Sequence, residues 1–312
     1  SLTALRCAIA YALDKEEVVT TSLDGLGEPQ DTVIPRDFPV SIEGDLSETY
    51  YADNIGKAQE LLAAAGFEDY DEDGYLDAPD ESSLDLEVRV GNSGGVGDAF
   101  ETALDALDID YTIVAGYDSS YVTDICYGNY DIALMGSSFY ENHPEGLTQQ
   151  FYSEYIDPEF SSLNMVRFAN DTFDNLCDDL LQALSWGDIT SIFAEMQNLL
   201  WYQCPVIVLY QAYELSAYRT DTFTGFESEP VMGAGCWWTF MNVHLISGSG
   251  GSLSSNYIYD PYSFNPMDHS DEVLVQLLWD TLLVQGIESS IVPNLAESWT
   301  HADGVIGQFQ IG

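Results

Sequence analysis

The spacing of apolar residues predicts alternating helices and strands over the first 210 residues. Spacings of three and four predict helices at 3–19, 53–65, 98–107, 121–127, 172–185 and 188–202. From Leu84 to Val90 apolar and charged residues alternate, which predicts a strand. Further strands are predicted at 111–114, 130–135 and 206–210. We expect Gly66 to end the second helix and Asp188 to cap the last one. The β-α-β-α-β order from 84 to 135 predicts an α/β fold with helices on the faces of a sheet.

A run of glycine and serine at 247–252 has the composition of a flexible linker. A helix is predicted after it, at 271–284. We therefore predict a large lobe at 1–215 and a second lobe formed by 216–246 and 253–312. An ordinary surface loop at 247–252 is the alternative.

The charge of the chain limits its partners. Its 53 acidic residues face 7 basic ones, and the formal net charge is -46. Nucleic acid and anionic membrane surfaces are excluded, because both require a cationic protein surface. Molar salt shortens the Debye length to about 3 Å and screens such repulsion. We predict a high-salt source; a mesophilic acidic protein, or one that binds many calcium ions, is the alternative. No apolar run reaches the ~20 residues that span a bilayer, and the chain opens without a secretory leader pattern.

Few residues carry the chemistry of an enzyme. The four histidines are scattered, and HExxH, GxSxG and P-loop motifs are absent from the sequence. The five cysteines are widely spaced without a CxxC pair, which argues against a zinc or redox motif and leaves disulfides and buried thiols equally open. The sequence predicts a protein that is not an enzyme.

An acidic loop follows the second helix. Asp69, Asp71, Asp73, Asp77 and Asp80 occupy positions one, three, five, nine and twelve of a calcium-loop pattern, and Gly74 is at position six. Asp80 replaces the usual glutamate, and a strand follows where an EF-hand has its second helix. Both interpretations stay open: a calcium site or a solvated acidic turn.

Two adjacent tryptophans form a second candidate site. Trp237 and Trp238 follow Gly233 and Gly235. Aromatic side chains with polar neighbours are typical of ligand clefts. Lining a cleft and packing in a core are the two alternatives.

Several separated segments resemble one family. Arg6–Val19, with the sequence RCAIAYALDKEEVV, is similar to a helix of the family 5 extracellular solute-binding proteins, the peptide- and nickel-binding receptors of ABC transporters. Segments 25–35, 58–67, 130–135, 205–210 and 217–219 continue the resemblance. It implies periplasmic-binding-protein-like (type II) lobes with mixed sheets flanked by helices. It also implies an extracellular receptor without a required cofactor, which binds a peptide or similar solute between lobes and serves a membrane permease. The family has an Asp-rich loop at the same place that need not hold metal.

The order of the segments differs from the family pattern. Ile291–Trp299, with the sequence IVPNLAESW, resembles a signature near the family's amino end, and Tyr259–Pro261 also belongs upstream there. The sequence therefore predicts a circular permutation that lacks part of the family chain. A chimaera or an incomplete chain would give the same pattern.

The resemblance also indicates ligand-binding residues. Peptide receptors of the family use an aspartate shortly after the strand that 130–135 matches; here Tyr140 is nearest to it. Glu141, one position on, is the predicted carboxylate anchor. Tyr140, Glu141, Asn142, Trp237 and Trp238 form the predicted ligand set, with nickel through His143 as an alternative. The competing function is a structural or self-assembling protein built from a rearranged fragment.

Overall fold

The computed structural model describes residues 2–91, 94–117, 120–136, 145–183, 185–229, 233–248, 250, 252–254, 277–287, 291–302 and 305–311. The chain divides into two compact units, Ser1–Tyr213 and Glu214–Gly312. The predicted lobes and the linker at 247–252 stay predictions.

The secondary structure is mixed. The helices are α1 Leu2–Ala12, α2 Lys15–Leu23, α3 Ile55–Ala65, α4 Gly94–Ala106, α5 Tyr121–Tyr127, α6 Glu145–Phe151, α7 Asp171–Gln182, α8 Trp186–Gln203 and α9 Trp237–Asn242. Short 3-10 helices lie at Glu43–Asp45 and Ser153–Tyr155. The strands are β1 Gly27–Pro29, β2 Asp85–Gly91, β3 Asp110–Ala115, β4 Ile132–Ala133, β5 Tyr210–Ala212, β6 Phe223–Thr224, β7 His244–Leu245, β8 Leu283–Gln285, β9 Ile291–Pro293, β10 Ala296–Ala302 and β11 Val305–Ile311.

The central sheet of the first unit is parallel. Its strand order is β3-β2-β4. β2 pairs along its length with β3, and through Val88 and Arg89 with the shorter β4. Leu86, Val88 and Val90 are buried, as their alternation predicts. The predicted β-α-β-α-β order is confirmed, although β4 has two residues where the sequence predicts six.

The first predicted helix is divided. α1 ends at Ala12 and α2 begins at Lys15, so the expectation of one helix over 3–19 is wrong. Asp14 has an extended backbone, and its carboxylate accepts the N–H of Glu17 at 2.9 Å, which caps α2. The apolar stripe continues through this break, because residues of both helices face the same core.

Caps set the ends of the other helices. Asn54 accepts the N–H of Lys57 at 3.2 Å at the start of α3, and Gly66 ends that helix in a left-handed conformation (φ 87°), as predicted. α8 begins earlier than predicted, because Ser185 and not Asp188 is its cap; the hydroxyl of Ser185 accepts the N–H of Asp188 at 3.0 Å.

Two other predicted elements differ in the structure. The apolar run 206–209 is not a strand; β5 begins at Tyr210 and pairs antiparallel with β1. The prediction of a helix over 271–284 is wrong at its carboxyl end. Leu283 and Val284 belong to β8, which pairs with β9. Residues 271–276 lie outside the described residues.

The second unit contains short antiparallel pairs. β6 pairs with β7, and β8 with β9. β10 and β11 pair with two irregularities in register, and this pair holds Trp299 of the resembling signature opposite Phe309. None of the helices in the described parts of the chain combines the length and apolar character needed to cross a membrane.

A buried polar network lies within the core of the first unit. We use this name for Lys15, Gln30, Asp31, Glu43 and Tyr51. The Lys15 ammonium contacts the Asp31 carboxylate at 2.5 Å, with side-chain exposures of 1% and 0%. Lys15 also donates to the Gln30 carbonyl at 3.1 Å. Glu43 accepts the N–H of Asp31 at 2.9 Å and the Tyr51 hydroxyl. These bonds satisfy charges that would otherwise be buried without partners.

Candidate functional site

The carboxyl ends of β2 and β3 lie side by side at one edge of the central sheet. Gly91 is the last residue of β2 and pairs with Ala115, and Gly116 follows β3. The N–H of Gly116 donates to the carbonyl of Gly91 at 2.5 Å. The backbones of both glycines have positive φ (58° and 116°). A side chain is disfavoured in this conformation, so glycine lets the two strands turn away here. Ligands of open α/β sheets commonly bind at such carboxyl edges.

A cavity of about 310 Å³ opens at this edge. It is lined by Arg89, Val114, Ala115, Gly116, Tyr117 and Tyr121. Tyr117 is 58% exposed and Tyr121 is buried, and their ring centroids are 4.8 Å apart with an interplanar angle of 32°. The pair presents an aromatic face that an apolar part of a ligand can cover.

Tyr121 is fixed by the backbone beneath the cavity. Its hydroxyl lies 2.9 Å from the Arg89 carbonyl and 2.8 Å from the Leu134 carbonyl, so it can donate to either. Burial raises the pKa of Tyr121, which therefore stays protonated and able to donate. This hydroxyl joins β2 to the segment that follows β4.

The cation at the cavity is already paired. Arg89 contacts Glu87 at 2.6 Å and Asp124 at 3.0 Å. The hydrogen bond to Glu87, followed by that to Asp124, raises the pKa of Arg89. Two carboxylates thus offset one guanidinium, and the cavity is not a strong anion site. An uncharged or partly apolar ligand fits it better.

The first part of the predicted ligand set lies outside the described residues. Tyr140, Glu141, Asn142 and His143 all belong to 137–144. The carboxyl end of β4 lies beside Arg89 of β2, because the two strands are parallel and the N–H of Leu134 donates to the Arg89 carbonyl at 2.8 Å. The anchor role of Glu141 stays a prediction.

The two tryptophans begin α9 in the second unit. The rings of Trp237 and Trp238 are half-buried and meet edge to face, with centroids 4.8 Å apart. Thr239 fixes the start of α9, since its hydroxyl donates to the Glu227 carbonyl at 2.8 Å and accepts the N–H of Glu227 at 2.9 Å. A cleft-lining role for the tryptophans stays a prediction.

The acidic loop brings three of its five predicted ligands together. Oxygens of Asp69, Asp71 and Asp77 all lie within 4.8 Å of one another. Asp73 accepts the N–H of Tyr75 at 2.9 Å, and Asp80 accepts the Ser82 hydroxyl at 2.6 Å, which lowers the pKa of Asp80. Calcium takes six to eight oxygens, so the three grouped carboxylates would need backbone or water oxygens as further ligands. Calcium binding stays a prediction.

Comparison with known proteins gives the family. The profile of bacterial extracellular solute-binding proteins, family 5 (middle region) matches residues 3–158, half of the chain. The chain belongs to the family 5 extracellular solute-binding proteins. No curated protein sequence matches this family 5 protein.

Solved structures share the fold of this family 5 protein at low identity. The oligopeptide-binding protein AppA of Bacillus subtilis, solved with a nonapeptide, is 20% identical with a TM-score of 0.58, covering 78% of this chain and 48% of that one. A periplasmic oligopeptide-binding protein of Thermotoga maritima, bound to mannohexaose, is 18% identical with a TM-score of 0.61, covering 80% and 50%. NikZ of Campylobacter jejuni, in complex with Ni(L-His), is 18% identical with a TM-score of 0.57, covering 67% and 41%. The chain spans about half the length of the first two structures.

The sequence pattern alone does not mark Arg89, Tyr117 and Tyr121 as cavity residues. The sequence feature that could have indicated this site is the pair of glycines at the ends of two adjacent parallel strands, Gly91 and Gly116. Tyrosines beside those glycines are candidates for a site. The strands predicted at 84–90 and 111–114 do not indicate which side chains meet beyond the strand ends.

Proposed function

We propose that this chain is the ligand-binding part of an extracellular receptor that delivers a peptide or similar small solute to an ABC importer. The observation that carries the proposal is the cavity of about 310 Å³ at the carboxyl edge of the sheet, with its Tyr117–Tyr121 face. Membership of family 5 supports the same function. The receptor performs no chemistry on its solute; ligand stabilises a closed conformation that the permease binds.

The ligand class follows from the lining of the cavity. The charge of Arg89 is offset by Glu87 and Asp124, which leaves the Tyr117–Tyr121 face as the aromatic surface that a ligand can cover. We propose that an apolar or aromatic side chain of a peptide covers Tyr117. Glu141 would then anchor the ligand's amino group. A ligand-binding role for Trp237 and Trp238 is proposed separately, for the second unit.

We also propose a high-salt extracellular environment for the protein. The net charge of -46 supports it, because screening by salt removes most of the repulsion among exposed carboxylates. The permuted order of 253–312 relative to 1–246 is a further proposal, supported by the resemblance of Ile291–Trp299 to an amino-terminal signature.

A thermal-shift experiment tests the receptor function. The chain is unfolded in about molar KCl with a peptide library, and separately with nickel. Ligand binding raises the free energy of unfolding of a receptor by RT ln(1 + [L]/Kd), about 2.7 kcal/mol at a ligand concentration of 100 Kd. We expect Tyr117→Ala to remove most of the gain that the active peptides give to the unsubstituted chain.

Tyr75→Ala is the matched control, because Tyr75 is an exposed tyrosine of the same unit away from the cavity. It should keep the full gain. Absence of any shift together with self-association on size exclusion would overturn the receptor function and favour the self-assembling alternative. A rise in melting temperature with nickel, but with none of the peptides, would indicate that the ligand is a metal complex and not a peptide.

A further inference from the structure

Two cysteines from distant parts of the sequence meet in the first unit. Cys7 lies on α1 and Cys204 follows the last residue of α8. Arg6 holds these elements together, since its guanidinium donates to the Gln203 carbonyl at 2.9 Å and to the Cys204 carbonyl at 2.8 Å. The Cys7 thiol lies 3.8 Å from the Tyr202 carbonyl, and the Cys204 thiol lies 3.7 Å from the Val206 carbonyl. The end of α8 is thereby fixed against α1, and both sulfur atoms lie at this junction.

The backbone of Cys204 is unusual for a residue with a side chain. It ends α8 in a left-handed conformation (φ 45°, ψ 51°), where glycine is favoured. Its N–H donates to the Leu200 carbonyl at 2.8 Å, and Arg6 binds its carbonyl. Both backbone groups are held, so the position of the Cys204 backbone is fixed.

The two thiols differ in access and acidity. Cys7 is partly exposed, whereas Cys204 is buried. The pKa of Cys7 is lowered to about 7, mainly by a hydrogen bond with the Cys204 thiol, and further by Tyr50 and the charge of Arg6. The same hydrogen bond, together with burial, raises the pKa of Cys204. An accessible thiolate beside a buried thiol is the arrangement of an attacking and a resolving cysteine.

We propose that Cys7 and Cys204 form an oxidisable pair, which an external organic disulfide converts into a Cys7–Cys204 disulfide that ties α1 to the end of α8. The Cys7 thiolate attacks one sulfur of the oxidant, forms a mixed disulfide and releases the first thiolate. Cys204 gives its proton to that thiolate, and its sulfur attacks the sulfur of Cys7 and releases the second thiolate. Two protein thiols are oxidised and one disulfide is reduced to two thiols.

The other cysteines provide internal controls. Cys126, Cys177 and Cys236 are buried. Burial, followed by the charges of Asp174 and Asp178, raises the pKa of Cys177 to about 12, so this thiol stays protonated and slow to react. The proposal therefore predicts one specific pair among the five cysteines.

The test uses the full chain in about molar KCl at about pH 8, above the pKa of Cys7. The folded protein is incubated with oxidised glutathione, free thiols are blocked with N-ethylmaleimide, and intact mass and peptides are measured. We expect two of five thiols to be lost, without bound glutathione, and a peptide link between Cys7 and Cys204. Cys204→Ser should hold one glutathione on Cys7, Cys7→Ser should not react, and Cys177→Ser should behave as the unsubstituted chain.

A stable glutathione on Cys7 of the unsubstituted chain, a link between another pair, or five unmodified thiols would each overturn the proposal. The result for the unsubstituted chain tests the proposal by itself, even if one of the variants does not fold. Alkylation of Cys7 by iodoacetamide should rise with pH around a midpoint near 7, because the thiolate is the nucleophile. None of these measurements depends on a ligand, so they stand apart from the receptor test.

Discussion

Carboxylates serve opposite purposes in two regions of the first unit. In the buried polar network, Asp31 is inaccessible to solvent and has a lysine, Lys15, as its partner. In the acidic loop, Asp71 and Asp73 are exposed and accept backbone N–H groups of the loop itself. The same functional group is therefore a fixed structural charge in one region and a hydrated surface charge in the other.

The difference shows how a chain with few cations distributes them. The structure describes all seven basic side chains, and each forms an ion pair with a carboxylate or a hydrogen bond to a backbone carbonyl. They are Arg6, Lys15, Arg36, Lys57, Arg89, Arg167 and Arg219. Most of the 53 acidic residues must then be balanced by solvent cations. The stability that the buried polar network contributes should therefore depend little on salt, whereas repulsion among the surface carboxylates should depend on it strongly.

The largest effect should come from removing salt. Dilution from molar KCl to about 0.01 M lengthens the Debye length to about 30 Å and restores repulsion among the exposed carboxylates. We expect the chain to unfold, losing a stability on the order of 5–15 kcal/mol. Circular dichroism during dilution measures this, with sucrose of matched osmolality as a control that does not screen charge. Unchanged cooperative unfolding at low salt would contradict the salt dependence.

The second largest effect should come from Lys15→Met, which leaves Asp31 buried without its cation. Such a change removes about 3–5 kcal/mol of stability. The control is Lys57→Met in the exposed Lys57–Glu48 pair, for which about 0–1 kcal/mol is expected. Denaturant unfolding in high salt compares the two variants. Equal losses would contradict the distinction between the network and the surface.

The loss in Lys15→Met should also depend on pH. Burial raises the pKa of Asp31, and Lys15 opposes that shift, so its removal raises the pKa further. The folded state then binds the Asp31 proton more tightly than the unfolded state does. Stability of the variant relative to the unsubstituted chain is lowest at neutral pH and recovers as pH falls through the raised pKa. A loss that grows toward acid pH would contradict this assignment.

Calcium provides a smaller test of the acidic loop. If the three grouped carboxylates bind the ion, calcium at 100 Kd raises stability by about 2.7 kcal/mol. Asp71→Asn should remove that gain, while Asp73→Asn, in the same loop outside the group, should keep more of it. Thermal unfolding in high salt, with magnesium as a comparison, measures both. Equal responses of the two variants would favour the solvated turn.

The smallest expected effect is at Glu72. Its backbone is left-handed (φ 64°) and its carboxylate adds to the surrounding negative charge. Glu72→Asn removes the charge and suits that backbone, so we expect stabilisation of about 0.5 kcal/mol. The gain should increase as salt decreases. A loss of stability would show that the side chain has a structural partner.

Local signals in the sequence predict much of the first unit. Asn54 and Gly66 mark α3, and alternation from Leu84 to Val90 marks β2, because these signals act within a few residues. The break at Asp14 is not predictable from spacing, since both helices face one core. The run 206–209 illustrates the same limit: an apolar stretch shows burial, while β5 depends on pairing with the distant β1.

The candidate sites depend even more on tertiary structure. The motif at 69–80 locates the acidic loop, yet only the folded loop separates Asp77, which is buried in the group, from Asp80, which binds Ser82. Tyr117 and Tyr121 meet because α5 begins just beyond β3. Lys15 and Asp31 are joined through the packing of α2 against the segment after β1, which no spacing rule relates.

The burial of Lys15 gives the protein an internal reporter of its own opening. The chain has two lysines; the Lys57 side chain is 33% exposed and the Lys15 side chain 1%. An amine-reactive reagent added to the folded protein should label Lys57 and leave Lys15 unlabelled. Labelling of Lys15 then requires the first unit to open, so the ratio of the two labelled peptides measures the frequency of opening without an added probe.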